Sequence, residues 1–229
     1  FIYNSKINRT SNDVHNIIKG SKNTTNSGTE NTFVLGKNNT TFGENKNSIV
    51  VGENNQIANQ INNAAVISGT YAEATNQGEF VLGGGGFNEA VGMAQTSIIQ
   101  QSGNTTDATQ TSLLTQYLPL TYIQKVKNSV IGFEANVIGV NTGIGEGSAG
   151  EYGYVQVTGA VTFTNGLAST YHQSTTHIVQ SGHSGMNITA EMKDVTATSF
   201  GIAVTGLAET QIQWTASIKL WQNRIQQTI

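Results

Sequence analysis

Five short apolar clusters, each closed by a glycine, recur along the first third of this chain. They read Asn16-Ile17-Ile18-Lys19-Gly20, Thr32-Phe33-Val34-Leu35-Gly36, Ser48-Ile49-Val50-Val51-Gly52, Ala65-Val66-Ile67-Ser68-Gly69 and Glu79-Phe80-Val81-Leu82-Gly83. The closing glycines fall 16, 16, 17 and 14 residues apart, with Gly28 and Gly43 near the middle of two intervals. A period of this size marks a coiled β architecture whose single unit cannot bury its own apolar edge. Strands of about five residues are expected. Within them Phe33 and Leu35, Ile49 and Val51, and Phe80 and Leu82 share one side. The residues after each glycine, Lys37-Asn38-Asn39 and Glu53-Asn54-Asn55, supply the turn and the return strand. One apolar pair per coil makes a core too thin for a monomer. The closed symmetric solution is a homotrimer with these edges on a shared axis.

Composition supports a polar, turn-rich β protein. Charged residues make up 11 % of the 229, against roughly 25 % for an average soluble domain. The polar surface therefore rests on Asn, Gln, Ser and Thr. Twenty-six glycines against one proline suit many tight turns. A net charge of −3 offers no footprint for nucleic acid. No apolar run approaches the roughly 18 residues that span a bilayer, so membrane insertion is not expected. With no cysteine there are neither disulfides nor thiolate metal sites. The start, Phe1-Ile2-Tyr3-Asn4, does not read as a leader and has no initiator Met, which predicts a piece of a longer chain.

Asparagine density divides the chain: residues 1–63 hold 16, residues 127–229 only 6. Asn and Gly tolerate left-handed backbone, so the first part has many corners. We assign 1–95 to a repetitive β-roll or β-helix shaft, 96–112 to a neck, and 113–229 to a C-terminal β-sandwich of jelly-roll type. Gly83 to Gly86 is expected to be too flexible for a regular element, and Gly103 to Thr111 to be a polar lead-in. Pro119 fits an edge strand or a strand start. Beyond it the alternation is of period two: Ile131, Phe133, Ala135, Val137; Val155, Val157, Val161, Phe163; Met186, Ile188, Ala190, Met192; Phe200, Ile202, Val204; and Ile212, Trp214, Ala216, Ile218, Leu220. Turn signals separate these runs at Asn141-Thr142-Gly143, Asn165-Gly166, Ser184-Gly185 and Gly206. The fold class is all-β.

The stretch Gly103-Asn104-Thr105-Thr106-Asp107-Ala108-Thr109, then Leu113-Leu114, then Asn128-Ser129-Val130-Ile131-Gly132-Phe133, resembles the opening of a C-terminal module of bacteriophage tail fibre and tail spike proteins. The close from Ile202 to Ile218, containing Val204-Thr205-Gly206-Leu207-Ala208 and Ile212-Gln213-Trp214-Thr215-Ala216, is similar to the end of that module. The likeness covers about 103–221, with Phe133 where a tryptophan is usual. More loosely, Asn47-Ser48-Ile49-Val50-Val51-Gly52 and Asn31-Thr32-Phe33-Val34-Leu35-Gly36 are similar to head repeats of trimeric autotransporter adhesins. Both resemblances imply an extended homotrimer presented on a particle or cell surface.

Chemistry-bearing residues are sparse. His172, His177 and His183 cluster, but spacings of five and six match no regular ligand pair. The loop Gly143 to Glu151 has two carboxylates yet lacks the dense acidic series of a Ca²⁺ site and reads as a hairpin loop. Glu191 and Asp194 are expected on opposite faces of a strand end, unsuited to glycosidic cleavage. Ser181, His183 and Asp194 lack the elbow and oxyanion hole of a triad. Gly83–Gly86 lacks the Lys-Ser/Thr ending of a phosphate cradle. Asn-x-Thr triplets at Asn8, Asn23, Asn39, Asn104 and Asn187 follow from composition. No catalytic, metal or cofactor site is assigned. The reading is a non-enzymatic virion fibre or spike, localised on the particle surface. Its partners are its own sister copies, other virion proteins, and a host-surface glycan or protein. Tyr152, Tyr154, Tyr171 and the stretch 171–183 are the receptor candidates, with packing between subunits as their alternative role. The other functional readings are a polysaccharide-degrading spike with an intersubunit site and a bacterial surface adhesin.

Overall fold

The computed structural model describes residues 6–7, 15–85, 90–115, 121–165, 167–181 and 188–225. The expectations placed on Asn8, Gly86, Pro119, Gly166, His183, Ser184-Gly185, Met186 and Asn187 lie outside them. Every regular element described is a strand. The chain falls into two compact units, Phe1–Ile98 with Trp221–Ile229, and Ile99–Leu220.

The first unit is a β-solenoid of about four turns. One parallel ladder joins β2 (Ile17–Ser21), β4 (Phe33–Lys37), β6 (Ile49–Glu53), β8 (Ala65–Thr70) and β10 (Phe80–Gly85). A second joins the two-residue strands β1 (Lys6–Ile7), β3 (Thr24–Thr25), β5 (Thr40–Thr41), β7 (Gln56–Ile57) and β9 (Glu73–Ala74). Equivalent residues stack in register, as Ile17 with Phe33 and Phe33 with Ile49. β11 (Ala94–Thr105) then pairs antiparallel with β10, Phe80 opposite Ile98.

Each coil turns at left-handed residues that recur with the repeat: Lys22, Asn38, Asn54 and Tyr71 at one corner, His15, Asn31, Asn47 and Asn63 at another. Behind the first of these corners runs a fully buried ladder, Asn23, Asn39 and Asn55. Asn39 Nδ2 donates to the Gly52 carbonyl at 2.8 Å, and Asn39 Oδ1 accepts from the Asn55 amide at 3.0 Å. Each ladder amide thus satisfies backbone groups that the turn leaves without a strand partner, which buried backbone requires. The closing glycines allow this approach: a Cβ on Gly36 would lie 1.9 Å from the Gly52 carbonyl oxygen, at φ +127°.

The coil interior takes up one apolar residue from each long strand. The residues that fill it are those in the middle of each triplet, Ile18, Val34, Val50, Val66 and Val81, all fully buried. The flanking pairs, expected to share one side and to meet sister copies on a common axis, lie on the other side of the strand and face outward: Ile49 is 42 % exposed and Leu82 43 %. Width explains the division. The two ladders share this narrow interior, with Ile57 and Ala74 packed in one core with Val50 and Val66, so it accepts one β-branched side chain per long strand, whereas Phe and Leu fit only outside. Gly83–Gly85 differs from expectation, because it continues β10, with a register shift before Gly85 meets Ala94. A Cβ on Gly84 would come within 3.0 Å of Ala72, so close approach, rather than looseness, selects glycine there.

The same interior holds two hydroxyls, Thr25 Oγ1 and Thr41 Oγ1, buried without a hydrogen-bond partner. Ile57 and Ala74 occupy the equivalent places in later coils. Thr41→Val keeps the shape and removes an unpaired polar atom. It is expected to raise stability by about 1 kcal/mol, measured as a shift of the denaturant midpoint.

The second unit holds β12 (Gln110–Ser112), β13 (Ile123–Gln124), β14 (Ser129–Gly145), β15 (Tyr152–Phe163), β16 (Ser169–Ser181), β17 (Thr189–Asp194), β18 (Ser199–Thr205) and most of β19 (Thr210–Arg224). Its strands form one sheet in the order β16-β15-β14-β19 and another in which β18 pairs β12, β13 and β17. The described members of the five alternating runs are all buried in one core, with Trp214, Phe133, Phe163 and Phe200 among the largest. The Trp214 indole N–H donates to Thr105 Oγ1 at 2.9 Å inside it.

Residues 96–112, expected as a neck, contain most of β11 and all of β12. The alternation of β11 is hidden because its inward positions include Gln95, Ser97 and Gln101, each buried. Gln101 satisfies itself by accepting from the Ile202 amide at 2.9 Å and donating to the Leu113 carbonyl at 3.2 Å.

Candidate functional site

The outward face of β14 and β15 carries the most distinctive surface chemistry of the second unit. Register places Val140 opposite Tyr152, Ile138 opposite Tyr154 and Asn136 opposite Gln156. Val179 of β16 lies across from Tyr154 on the other side. Ile138, Val140, Tyr152 and Val179 are exposed, an aromatic and aliphatic surface where alternation would place polar residues.

Beside it is a hydrogen-bonded amide–carboxylate row. The Tyr154 hydroxyl donates to Asn136 Oδ1 at 2.7 Å, and Gln156 Nε2 donates to the same oxygen at 3.2 Å and to Glu134 Oε1 at 3.3 Å. Asn136 Nδ2 donates to Glu134 Oε1 at 3.3 Å. Flat rings beside pre-oriented amides suit the apolar face and hydroxyl edge of a sugar, or a partner of mixed polarity. In this network Glu134 is the one carboxylate, so the arrangement supports binding and lacks the paired acids of glycoside hydrolysis. Tyr152 and Tyr154 were legible from sequence as candidates. Asn136, Gln156 and Glu134 were not, because only the cross-strand register brings them together.

Tyr171 belongs elsewhere. It packs against the core, and its hydroxyl donates to Asp194 Oδ1 at 2.5 Å. Ser169 Oγ donates to both oxygens of Asp194, and Lys125 Nζ lies 2.7 Å from Oδ2. The Lys125 side chain is only 2 % exposed and sits over the Phe163 ring. Burial acts to raise the Asp194 pKa, but Lys125, Tyr171 and Ser169 together hold it below the usual carboxylate range. Burial, then Asp194, push the Tyr171 phenol upward.

This cluster tethers β16 and β17 to the loop before β14, and it predicts a pH dependence. A carboxylate with lowered folded pKa stabilises fully above its unfolded value, about 3.9, and the contribution is lost as pH falls through the folded pKa. Because the Asp194 side chain is 43 % exposed and screened by solvent, Asp194→Asn is expected to cost about 1 kcal/mol at pH 7. The difference in melting temperature from wild type should begin to shrink below about pH 4 and vanish only once pH has fallen through the lowered folded pKa, where native Asp194 is neutral too.

Register confirms that His172, opposite Ala160, and His177, opposite Val155, lie on different faces of β16. His183 lies outside the described residues. Among those residues no group of three or more His, Cys, Asp or Glu is arranged to hold a metal ion. Loop 143–151 is organised by buried Asn141, whose Nδ2 donates to the Glu146 carbonyl at 2.8 Å and whose Oδ1 accepts from the Gly143 amide at 2.8 Å. Glu191 accepts from Gln110 Nε2 at 3.0 Å and lies near Lys193, so it and Asp194 serve separate partners. Among the described residues no helix is long and apolar enough to cross a membrane.

No family model matches the chain, and no curated protein matches it. Among solved structures it is similar to the tailspike protein of Acinetobacter baumannii phage AM24, at 8 % identity and a TM-score of 0.30. That likeness covers 90 % of this chain and 46 % of the tailspike, so the chain spans about half of the structure it matches.

Proposed function

We propose that this chain is a structural fibre or spike protein of a bacteriophage particle that works as a homotrimer and attaches the particle to a host surface. In this reading the solenoid is the shaft and the second unit a β-sandwich head. The carrying observation is the outer face of the solenoid ladder. Ile17, Phe33, Ile49, Ala65 and Phe80 stack in one row, and beside it Leu35 stacks on Val51 and Ile67 on Leu82, with a register shift between these two pairs. Ile17 is 50 % exposed and Phe80 36 %, in a coil whose interior is already filled. A contiguous apolar strip of this kind on a polar protein marks an interface. A repeated strip along a rod is covered most simply by sister rods around one axis.

The charge-poor head, with its tyrosine and amide surface, suits recognition of a glycan or protein without chemistry, and three weak sites would act together through avidity. Fluorescently labelled protein is expected to decorate some strains in a bacterial panel differing in capsule and lipopolysaccharide, and to leave the polysaccharide intact. Labelling of no strain would overturn the attachment role. Oligosaccharide released from purified polysaccharide would overturn the non-enzymatic one.

A further inference from the structure

The second unit contains a half-open cleft of about 500 Å³ that the tyrosine surface does not include. Its floor is the backbone of Gly103 on β11. Its walls are Asn104 and Ser102 of the same strand, Gln213 and Thr215 of β19, and Ser112 at the end of β12. The volume is within the range of small-ligand sites, about 300–1,000 Å³.

Three features narrow what the cleft can take. No lining residue is charged, so it offers no counter-ion to a phosphate, a carboxylate or a cation. The lining mixes hydroxyls and amides: Asn104 and Gln213 each present a donor pair and an acceptor, and the serines and threonine each present both functions. Among the described residues the side chains of Ser102, Asn104, Ser112, Gln213 and Thr215 make no hydrogen bond to protein, so all are available to a ligand. Apolar lining comes from Leu114 and the edge of Trp214, enough for one C–H face but too little for a lipid chain. The frame is rigid. Ser102 and Leu114 exchange both backbone hydrogen bonds at 2.9 Å, and the Trp214 indole is held by Thr105.

From this geometry we infer that the cleft around Gly103 is a binding site for a neutral saccharide of one or two rings. Vicinal hydroxyls of an uncharged sugar supply the paired donors and acceptors that the amides of Asn104 and Gln213 require, while a ring face lies on Leu114. The inference deepens the attachment reading and rests on it for its biological meaning, though not for its test.

The test uses the whole chain on an array of neutral hexose and N-acetylhexosamine oligosaccharides beside sialylated and uronic-acid ones, followed by titration of any positive. Binding is expected to neutral glycans alone. Asn104→Ala with Gln213→Ala, exposed positions at which truncation leaves the core intact, should weaken it by about tenfold or more. Thr215→Arg, which fills the cleft from the β19 wall, should abolish it, with unchanged melting temperature showing that both variants fold. Absence of neutral-glycan binding, preference for the acidic glycans, or equal binding by the variants would overturn the site. Cell labelling separates the two claims. Strains labelled equally by wild type and both variants would sink the cleft while leaving attachment standing. Neutral-glycan binding lost in the variants, with no strain labelled by wild type, would keep the cleft and sink attachment.

Discussion

Gly36→Ala is expected to disrupt the solenoid outright, with a loss of about 4 kcal/mol or more in unfolding free energy. Two penalties coincide. The backbone at Gly36 has φ +127°, a region that costs an L-residue of order 1–3 kcal/mol. A Cβ there would also sit 1.9 Å from the Gly52 carbonyl oxygen, which itself accepts from buried Asn39. The clash is with backbone, so no rotamer relieves it, and moving Gly52 away breaks the asparagine ladder. The contrast is Gly78→Ala, at φ +65° with open space around its Cβ, where only the conformational penalty of about 1 kcal/mol applies. Denaturant unfolding of the two variants measures the difference directly.

A second large effect separates the two faces of the same strands. Val50→Asp places a carboxylate in a fully buried position among the apolar residues of the coil, and should leave the solenoid unfolded at neutral pH. Ile49→Asp with Leu82→Asp adds two carboxylates to half-exposed outer positions. The coil should retain its far-ultraviolet signature while the oligomer dissociates, lowering mass threefold. If the flanking pair lined the interior instead, the two outcomes would be exchanged. Circular dichroism and sedimentation on the same samples decide between them.

That exchange shows where sequence stops informing. The period was plain, because five Gly-closed clusters repeat, and the coiled class followed. Which side faced in was not, because Phe33-Val34-Leu35 and Ile49-Val50-Val51 are apolar at all three positions and carry no parity. Side-chain size held the clue: the middle residue is always Val or Ile, whereas Phe and Leu occur only at the flanks. Asparagine abundance was legible as corners, but the burial of Asn23, Asn39 and Asn55 was hidden. A buried amide ladder needs each coil stacked on the next before its partners exist.

In the second unit the apolar rows of β14, β15, β18 and β19 alternate cleanly and are buried as read. β11 escaped because Gln95, Ser97 and Gln101 stand at its inward positions. Of the candidate site, Tyr152 and Tyr154 were visible as residue types. Their neighbours Asn136 and Gln156 depend on a register that period-two patterns leave open. Tyr171 was set apart by an acid, Asp194, that lies 23 residues away in sequence.

The most direct test is the mass of the intact chain by sedimentation equilibrium at micromolar concentration. The proposed trimer predicts a single species of three times 24.3 kDa, with no dissociation on dilution into the nanomolar range. A stable species of 24.3 kDa, soluble and with its solenoid folded, would show that the outer strip needs no cover and would contradict the account.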